Sequence, residues 1–347
     1  MKQVTPCRER YTHGELKNQK GVTMATYCGV DFHARQQLVK WCHTEEGEIH
    51  ERQLWHQSKE EVREFYAQFG GEVIVGFETS GFSSWFESML EQLGHQIWIG
   101  HATEIRRRAR SRQKTDRRDA ELILDLLLKD EFPRIHRLSA ESREVLRQLR
   151  YRHRLVQLRT KSYNSLQAIA LGAGVSLRAK LRTRRGKERL LGLPLTQAGH
   201  SQRQEWLALI AQLNACIERV EQELEVVAAV DTRVQLLRTH PGIGLLTGLG
   251  LVHTLSPVSR FANSRKVAAY VGLEPREYSS GERQNFGGIS KAGSRLLRFL
   301  LVEAGQKAVN KDEHLKKLYH RLVHRPSQSQ SRRSPSATST YLHHAAR

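Results

Sequence analysis

The sequence predicts a chain in two parts, an α/β domain followed by a mostly α-helical region. In residues 24–137, three strand-like runs precede alternating helical and strand-like segments, an order typical of α/β domains. From residue 138 onward, apolar residues recur at helical spacing and one stretch carries a heptad repeat. We therefore predict a disordered leader at residues 1–23, an α/β domain at 24–137 and a helical coiled-coil region at 138–232. A mostly α-helical C-terminal domain at 233–309 and a basic, largely disordered tail at 310–347 follow.

The charge of the chain predicts a polyanionic partner. Its 347 residues include 56 Lys and Arg against 36 Asp and Glu, a formal net charge of +20. Such an excess favours nucleic acid over a membrane, and no apolar run is long enough to cross a bilayer. The excess is uneven, since residues 24–100 carry five basic residues against twelve acidic ones and the basic stretch begins at Arg106.

Cysteine usage and the polar leader predict a cytoplasmic protein, and a DNA partner would make it nucleoid-associated. The four cysteines, Cys7, Cys28, Cys42 and Cys216, lack metal-site spacing, so we expect free thiols in a reducing compartment. Residues 1–23 carry no signal-peptide pattern. The sequence leaves open whether translation begins at Met1 or at Met24.

The elements of the α/β domain follow from its apolar runs and helix signals. Ser58 and Glu61 form a capping box that starts a helix, which ends at Gly70-Gly71. A second helix closes at Gly94. The predicted order is strands at 25–33, 37–41 and 47–54, a helix from Ser58, a strand at 72–81, a helix at 83–93, a strand at 95–99 and a helix that carries Asp116 and Asp119.

Four acidic residues of this domain form a candidate metal site. Asp31 and Glu78 stand at the ends of predicted strands, and Asp116 and Asp119 share one face of a helix. Hard oxygen ligands of this kind suit Mg²⁺ or Mn²⁺, and two such ions would clamp both oxygens of a phosphodiester displacement. Taken singly, an acid at a strand end is more often a turn former or cap than a ligand, so the prediction rests on the four acids together.

The helical region combines apolar stripes with interleaved arginines. Apolar residues at 145–158 predict a long helix, which breaks at Gly172 to Gly174 before a basic loop at 178–189. A second helix at 202–230 carries an a/d seam, formed by Leu213, Ile217, Val220, Leu224 and Val227. This seam fits an intramolecular helical hairpin and a dimerising coiled coil equally well.

Two glycine-bearing segments of the C-terminal domain are candidate phosphate contacts. Pro241-Gly242-Ile-Gly244 between two helices looks like the hairpin of a helix-hairpin-helix motif, although a plain turn is the alternative. Farther on, a Gly-rich, Ser-bearing loop leads to Lys291 and Arg295, a composition suited to contact with a phosphate backbone.

Three motifs of the α/β domain resemble the DEDD catalytic signature of the insertion-sequence-110 group of transposases, including its 1111 subgroup. They are Gly29-Val-Asp31 with the following Phe-His, Gly76-Phe-Glu78-Thr-Ser-Gly, and Lys114-Thr-Asp116-Arg-Arg-Asp119-Ala. The resemblance implies a ribonuclease-H-like fold, as in Holliday-junction resolvases, and a middle region used for assembly into a dimer or tetramer. The basic residues around the acids, Arg106, Arg107, Arg108, Lys114, Arg117 and Arg118, are expected to hold DNA over the metals.

The C-terminal domain is similar to that of the same family, whose pattern runs G-L-x-P, S-G, I-x-K-x-G and L-R. The resemblance implies a serine nucleophile that forms a covalent link to DNA, and Ser280 matches it. Ser279 is adjacent and stays open, whereas Ser290 and Ser294 are weaker candidates. Members of the group are also associated with a structured guide RNA that pairs with donor and target DNA.

We therefore predict a transposase or recombinase that cuts and rejoins DNA. A nuclease or junction resolvase would share the four acids without needing Ser280. A non-enzymatic DNA-bridging protein, such as a decayed transposase, would need neither.

Overall fold

The computed structural model describes residues 25–78, 81–109, 115–177, 181–278 and 286–323. They form two compact units, and the boundary lies between Arg137 and Leu138. The predicted leader at 1–23 and the part of the tail from residue 324 onward lie outside the described residues. Among the described helices, none combines the length and apolar character needed to span a membrane.

The first unit contains a mixed five-stranded sheet with the order β3-β2-β1-β4-β5. Strand β1 pairs antiparallel with β2 and parallel with β4, and β5 is parallel to β4. The predicted strands are thus found, with small shifts at their ends. Their bounds are β1 Ala25–Phe32, β2 Gln36–His43, β3 Ile49–Trp55, β4 Glu72–Glu78 and β5 Gln96–Gly100.

Four helices accompany this sheet: α1 Lys59–Ala67, α2 Ser84–Gln92, α3 Ala102–Arg108 and α4 Asp116–Leu128. The predicted cap is present, since Ser58 accepts a hydrogen bond from the Glu61 N–H at 3.1 Å. Helix α3 was not predicted. Among its seven residues only Ile105 is buried, so the segment offers no apolar periodicity to detect.

Strand alternation divides the first unit into two layers of core. Even-numbered β1 residues, including Cys28 and Val30, pack with α1 and α2 in one apolar cluster. Odd-numbered β1 residues and even-numbered β4 residues face the other way, where Tyr27 and Ile74 pack with α4 residues. Asp31 and Glu78 have the parity of this second face.

Glycines on that face let α4 lie unusually close to the sheet. A Cβ on Gly29 would stand 2.5 Å from the backbone nitrogen of Leu124 and 2.6 Å from the carbonyl oxygen of Ala120. Its register partner on β4 is Gly76, where a Cβ would meet the Leu127 side chain at 2.8 Å. The residue type at Gly29 therefore sets the distance between α4 and β1.

The second unit is built on two long helices, α5 Ala140–Gly172 and α7 Gln197–Val230. They run antiparallel, because Arg152 of α5 bonds to Glu221 whereas Arg159 bonds to Asn214. The predicted seam residues Leu213 and Ile217 pack against α5 within the chain. Of the two alternatives left open for the seam, the structure contains the intramolecular hairpin.

The segment between these helices differs from the predicted basic loop. Residues 184–191 form helix α6 Arg184–Leu191, capped by Thr183, which accepts from the Gly186 N–H at 3.2 Å. Most of its residues are charged, but Leu190 is fully buried against residues of α5 and α7. The loop prediction was wrong there because a two-turn helix needs few buried side chains.

The remaining elements surround a second apolar cluster. They are α8 Thr232–Arg238, α9 Leu245–Leu255, α10 Ser264–Val271, β6 Pro275–Glu277, β7 Phe286–Ile289, α11 Arg295–Lys311 and α12 Glu313–Val323. Strands β6 and β7 form an antiparallel pair that was not predicted. Helix α12 occupies the beginning of the segment predicted as a disordered tail.

Replacing Gly29 with alanine should destabilise the first unit. The added methyl would overlap the α4 backbone, which cannot move without opening the core, so we expect a loss of about 3 kcal/mol or more in the free energy of unfolding. Four of the five tryptophans lie in this unit. Urea denaturation followed by tryptophan fluorescence therefore measures the effect.

Gly70→Ala is the matched control. Gly70 has open space where its Cβ would be, so this variant should unfold within about 0.5 kcal/mol of the wild type. Equal stability of Gly29→Ala and the wild type would contradict the proposed constraint on α4.

Candidate metal centre and nucleic-acid contacts

Asp31 and Glu78 lie at the carboxyl ends of neighbouring parallel strands. Val30 of β1 is in register with Phe77 of β4, so the next residue on each strand is an acid. Both have the parity that points toward α4, and adjacent strands lie about 4.8 Å apart. This is the strand-borne half of the predicted site.

The two aspartates of the helix-borne half lie in the first turn of α4. Thr115 is the N-cap and accepts from the Arg118 N–H. The N-terminal end of a helix stabilises negative charge. Asp116 and Asp119 can therefore stabilise the helix start and also serve as metal ligands. Close packing of α4 at Gly29 brings this turn to the end of β1.

Asp31, His33 and Asp116 come together in one group. His33 Nε2 lies 3.0 Å from Asp31 Oδ2 and 3.7 Å from Asp116 Oδ1. One potential ligand atom from each residue lies within 4.8 Å of the other two. A single small cation can contact all three atoms after small side-chain movements.

The electrostatics of Asp31 suit a cation-binding role. Burial raises the pKa of its carboxyl group, and the nearby Asp116 and Asp119 carboxylates raise it further. His33 opposes these effects by its charge and its hydrogen bond. The net shift is upward, so the negative charge on Asp31 is poorly compensated by the protein alone.

Glu78 is engaged by a different partner. Its carboxylate accepts from Arg106 of α3 at 3.3 Å, and both side chains are partly exposed. Exposed ion pairs of this kind contribute little energy, so exchange of the guanidinium for a cation costs little. Among the described residues, the group around His33 does not include Glu78.

His33 is the residue that the sequence analysis missed as a site residue. It was quoted within a motif, but the prediction rested on carboxylates alone. The available signal was the Asp-x-His spacing at the end of a strand, because residues two apart project from the same face. Imidazole nitrogen is a common ligand for transition metals, whereas Mg²⁺ prefers oxygen.

The predicted DNA-contacting arginines around the acids are exposed and have partners within the protein. Arg107 pairs with Glu104 at 2.7 Å, and Arg117 pairs with Glu51 at 3.0 Å. Arg108 donates to the Glu131 carbonyl oxygen. Arg118 is exposed on the first turn of α4, and Lys114 lies outside the described residues.

In the second unit the two predicted hairpin glycines differ in their surroundings. Gly242 has φ +91°, and a Cβ there would collide with the Ala304 carbonyl oxygen of α11. Packing against α11 is thus a sufficient reason for this glycine. Gly244, the N-cap of α9, has open space around it.

Two of the four serine candidates, Ser290 and Ser294, and the predicted basic contacts Lys291 and Arg295 lie between β7 and the start of α11. Ser279 and Ser280 lie outside the described residues. Ser294 caps α11 by accepting from the Leu297 N–H at 3.2 Å, which gives it a structural role. Lys291, with φ 59°, and Arg295 are both exposed.

Comparison with known proteins gives two family matches. A profile of DEDD transposases of the IS110 type matches residues 28–173, and that of the transposase IS116/IS110/IS902 family matches residues 234–320. The first match contains Asp31, Glu78, Asp116 and Asp119. The second covers the C-terminal region that includes Ser280.

Three relatives illustrate the similarity. A probable family 20 transposase of Pseudomonas aeruginosa is 27% identical over 259 residues, 72% of this chain and 75% of the relative. The transposase for insertion sequence element IS1328 of Yersinia enterocolitica is 30% identical over 251 residues, 70% of this chain and 72% of the relative. The transposase for IS1111A of Coxiella burnetii is 30% identical over 198 residues, with 56% and 54% covered.

Proposed function

Because the chain belongs to the IS116/IS110/IS902 family of transposases, which transfer DNA strands, we propose that it cuts and rejoins insertion-sequence DNA at a divalent-metal centre. The observation that carries this proposal is the convergence of Asp31, His33 and Asp116 at the ends of β1 and α4. The raised pKa of Asp31 supports it, because a cation would offset both the burial of this carboxylate, which is the main cause of the shift, and its repulsion by Asp116 and Asp119.

In the proposed centre, Asp31 and Asp116 would hold Mg²⁺ or Mn²⁺ together with His33. Asp119 would add negative charge from the same first turn of α4, and Glu78 would contribute its carboxylate after exchange of its partner Arg106. Two ions of this kind stabilise the attacking and leaving oxygens of a phosphodiester displacement. The arginines of α3 and α4 then hold the phosphate backbone, since their exposed pairs are easily exchanged.

Ser280 is the proposed nucleophile. A bond forms between its Oγ and the phosphorus of the cut strand, a phosphorus–oxygen bond of the DNA breaks, and the released strand end takes a proton. Attack by a hydroxyl end of another strand reverses these changes and frees the serine. A serine hydroxyl needs activation at neutral pH, and the family resemblance of the surrounding motifs supports this assignment.

We further propose a ribonuclease-H-like fold for the first unit, which the strand order and the family resemblance support. DNA, as donor and target, is the proposed substrate at the nucleoid, and a structured guide RNA is the proposed partner. The basic charge of the chain suits both.

A homo-oligomer is proposed as well. It must use surfaces other than the seam of α7, because α5 of the same chain packs against that seam.

Removing the Asp31 charge should weaken metal binding and stabilise the metal-free protein. A folded-state pKa above the unfolded value means that the ionised carboxylate lowers stability at neutral pH. We expect Asp31→Asn to raise the melting temperature without metal by about 2 °C or more. The rise that Mn²⁺ gives to the wild type should be lost.

His33→Ala provides the second arm of this experiment. Loss of one ligand should weaken Mn²⁺ binding about tenfold or more, measured from the electron paramagnetic resonance signal of free Mn²⁺. Asp125→Asn, at the far end of α4, is the control and should bind like the wild type. Unchanged Mn²⁺ affinity in His33→Ala would remove His33 from the centre.

Ser280→Ala should abolish the covalent protein–DNA adduct and strand rejoining. The Oγ that forms the bond is absent, so labelled DNA incubated with Mg²⁺ should give no protein-linked band on a denaturing gel. Ser290→Ala is the control and should keep the adduct. An adduct in Ser280→Ala that Ser279→Ala removes would move the nucleophile by one residue, and Mg²⁺-dependent cleavage without an adduct in the wild type would indicate a nuclease.

The guide-RNA proposal predicts a defined nucleic acid in the purified protein. Sequencing of the co-purifying material after DNase treatment should recover a discrete structured RNA encoded beside the gene. Random fragments of RNA and DNA would indicate binding to the backbone alone and would contradict guidance by RNA.

A further inference from the structure

An aromatic pair lies exposed between α5 and α11 of the second unit, apart from the groups assigned above. The Phe299 ring of α11 is 47% exposed, and its centroid lies 5.2 Å from that of the His153 imidazole of α5. The two planes are inclined by 52°. An exposed phenylalanine held against a second ring presents a flat apolar face to solvent.

The turns of α5 and α11 next to the pair contribute residues to a buried apolar cluster. One turn before His153, Leu149 is buried, and Leu296 of α11 packs against the same apolar cluster. Gln157, one turn after His153, lies with its amide nitrogen 3.2 Å from His153 Nε2. The Gln157 contact orients the His153 imidazole, and the His153 ring lies against that of Phe299.

The surroundings of the pair are basic. Arg150 and Arg154 of α5 are exposed one turn before His153 and directly after it, and Arg295 of α11 is exposed one turn before Phe299. One acidic residue, Glu303, follows one turn after Phe299. Burial, then Arg152 and Arg295, lower the pKa of His153, so its imidazole is a neutral ring at physiological pH.

We propose that Phe299 and His153 form a stacking platform for an unpaired base of single-stranded nucleic acid. Stacking needs an accessible ring, which a half-exposed phenylalanine offers, while arginines nearby bind the adjoining phosphates. A duplex keeps its bases stacked on each other and would use the arginines alone. The excess of exposed arginines over the single glutamate favours a polyanionic ligand.

The test measures binding of fluorescein-labelled oligonucleotides to the full chain by fluorescence anisotropy. Single-stranded DNA, single-stranded RNA of the same sequence and blunt duplex DNA are compared in EDTA, so that the result is independent of the proposed metal centre. Phe299→Ala should raise the Kd for single strands about tenfold and that for duplex less than about twofold. The arm with the larger change identifies DNA or RNA as the ligand.

Two further variants separate stacking from folding and from general apolar contact. Phe299→Trp should retain single-strand affinity, whereas Phe299→Leu, which keeps apolar volume without a ring, should lose it. Val226→Ala removes another exposed apolar side chain of this unit, beside the acidic residues of α7, and should bind like the wild type. Single-strand Kd values within about twofold of wild type for both Phe299→Ala and Phe299→Leu, or an equal loss in Val226→Ala, would overturn the proposal.

Discussion

The close approach of α4 to β1 at Gly29 is the constraint on which the candidate site depends. A helix packed over a sheet is ordinarily separated from it by a layer of side chains. Here the β1 backbone meets the α4 backbone directly, because Gly29 has no side chain and a Cβ would overlap Leu124. The N-terminal turn of α4 therefore lies close to the ends of the strands. Without this approach, Asp116 would not reach His33 and Asp31.

The same approach creates an electrostatic cost that the protein only partly relieves. It concentrates Asp31, Asp116 and Asp119 in a half-buried place, and the pKa of Asp31 rises as a result. His33 lies between two of these carboxylates, and Arg106 pairs with Glu78. Each of these relieving contacts is solvent-exposed and therefore weak. A site in which repulsion is incompletely compensated favours cation binding over folding stability, a common trade in functional sites.

Much of this arrangement followed from sequence patterns, and the misses have physical reasons. The five strands, the Ser58 cap and the α4 helix were predicted because apolar alternation and capping residues are local signals. Helix α3 and helix α6 were missed because each buries very few side chains, Ile105 in one case and Leu190 in the other. The a/d seam of α7 was ambiguous, since an intramolecular and an intermolecular partner require the same periodicity. His33 escaped notice because its role depends on a helix that lies far away in sequence.

The glycines of the C-terminal domain were interpreted as openings for phosphate, yet several are required by packing. A Cβ on Gly272, which has φ +78°, would collide with the backbone of Ala292. One on Gly293 would collide with the Tyr270 carbonyl oxygen. Arg298 then fastens the same two segments by donating to the Val271 and Ala292 carbonyl oxygens.

This contact between two backbone segments has the same physical basis as the contact at Gly29, because in both a glycine lets two backbones approach without an intervening side chain. It holds the segment that precedes β6 against the segment that follows β7. The second segment contains Lys291, whose backbone has a left-handed φ of 59°. The motif glycines thus determine where charged side chains stand, and we propose those side chains, not the glycines, as the contacts to nucleic acid. A glycine-rich motif is therefore weak support for direct phosphate binding until the space around each glycine is known.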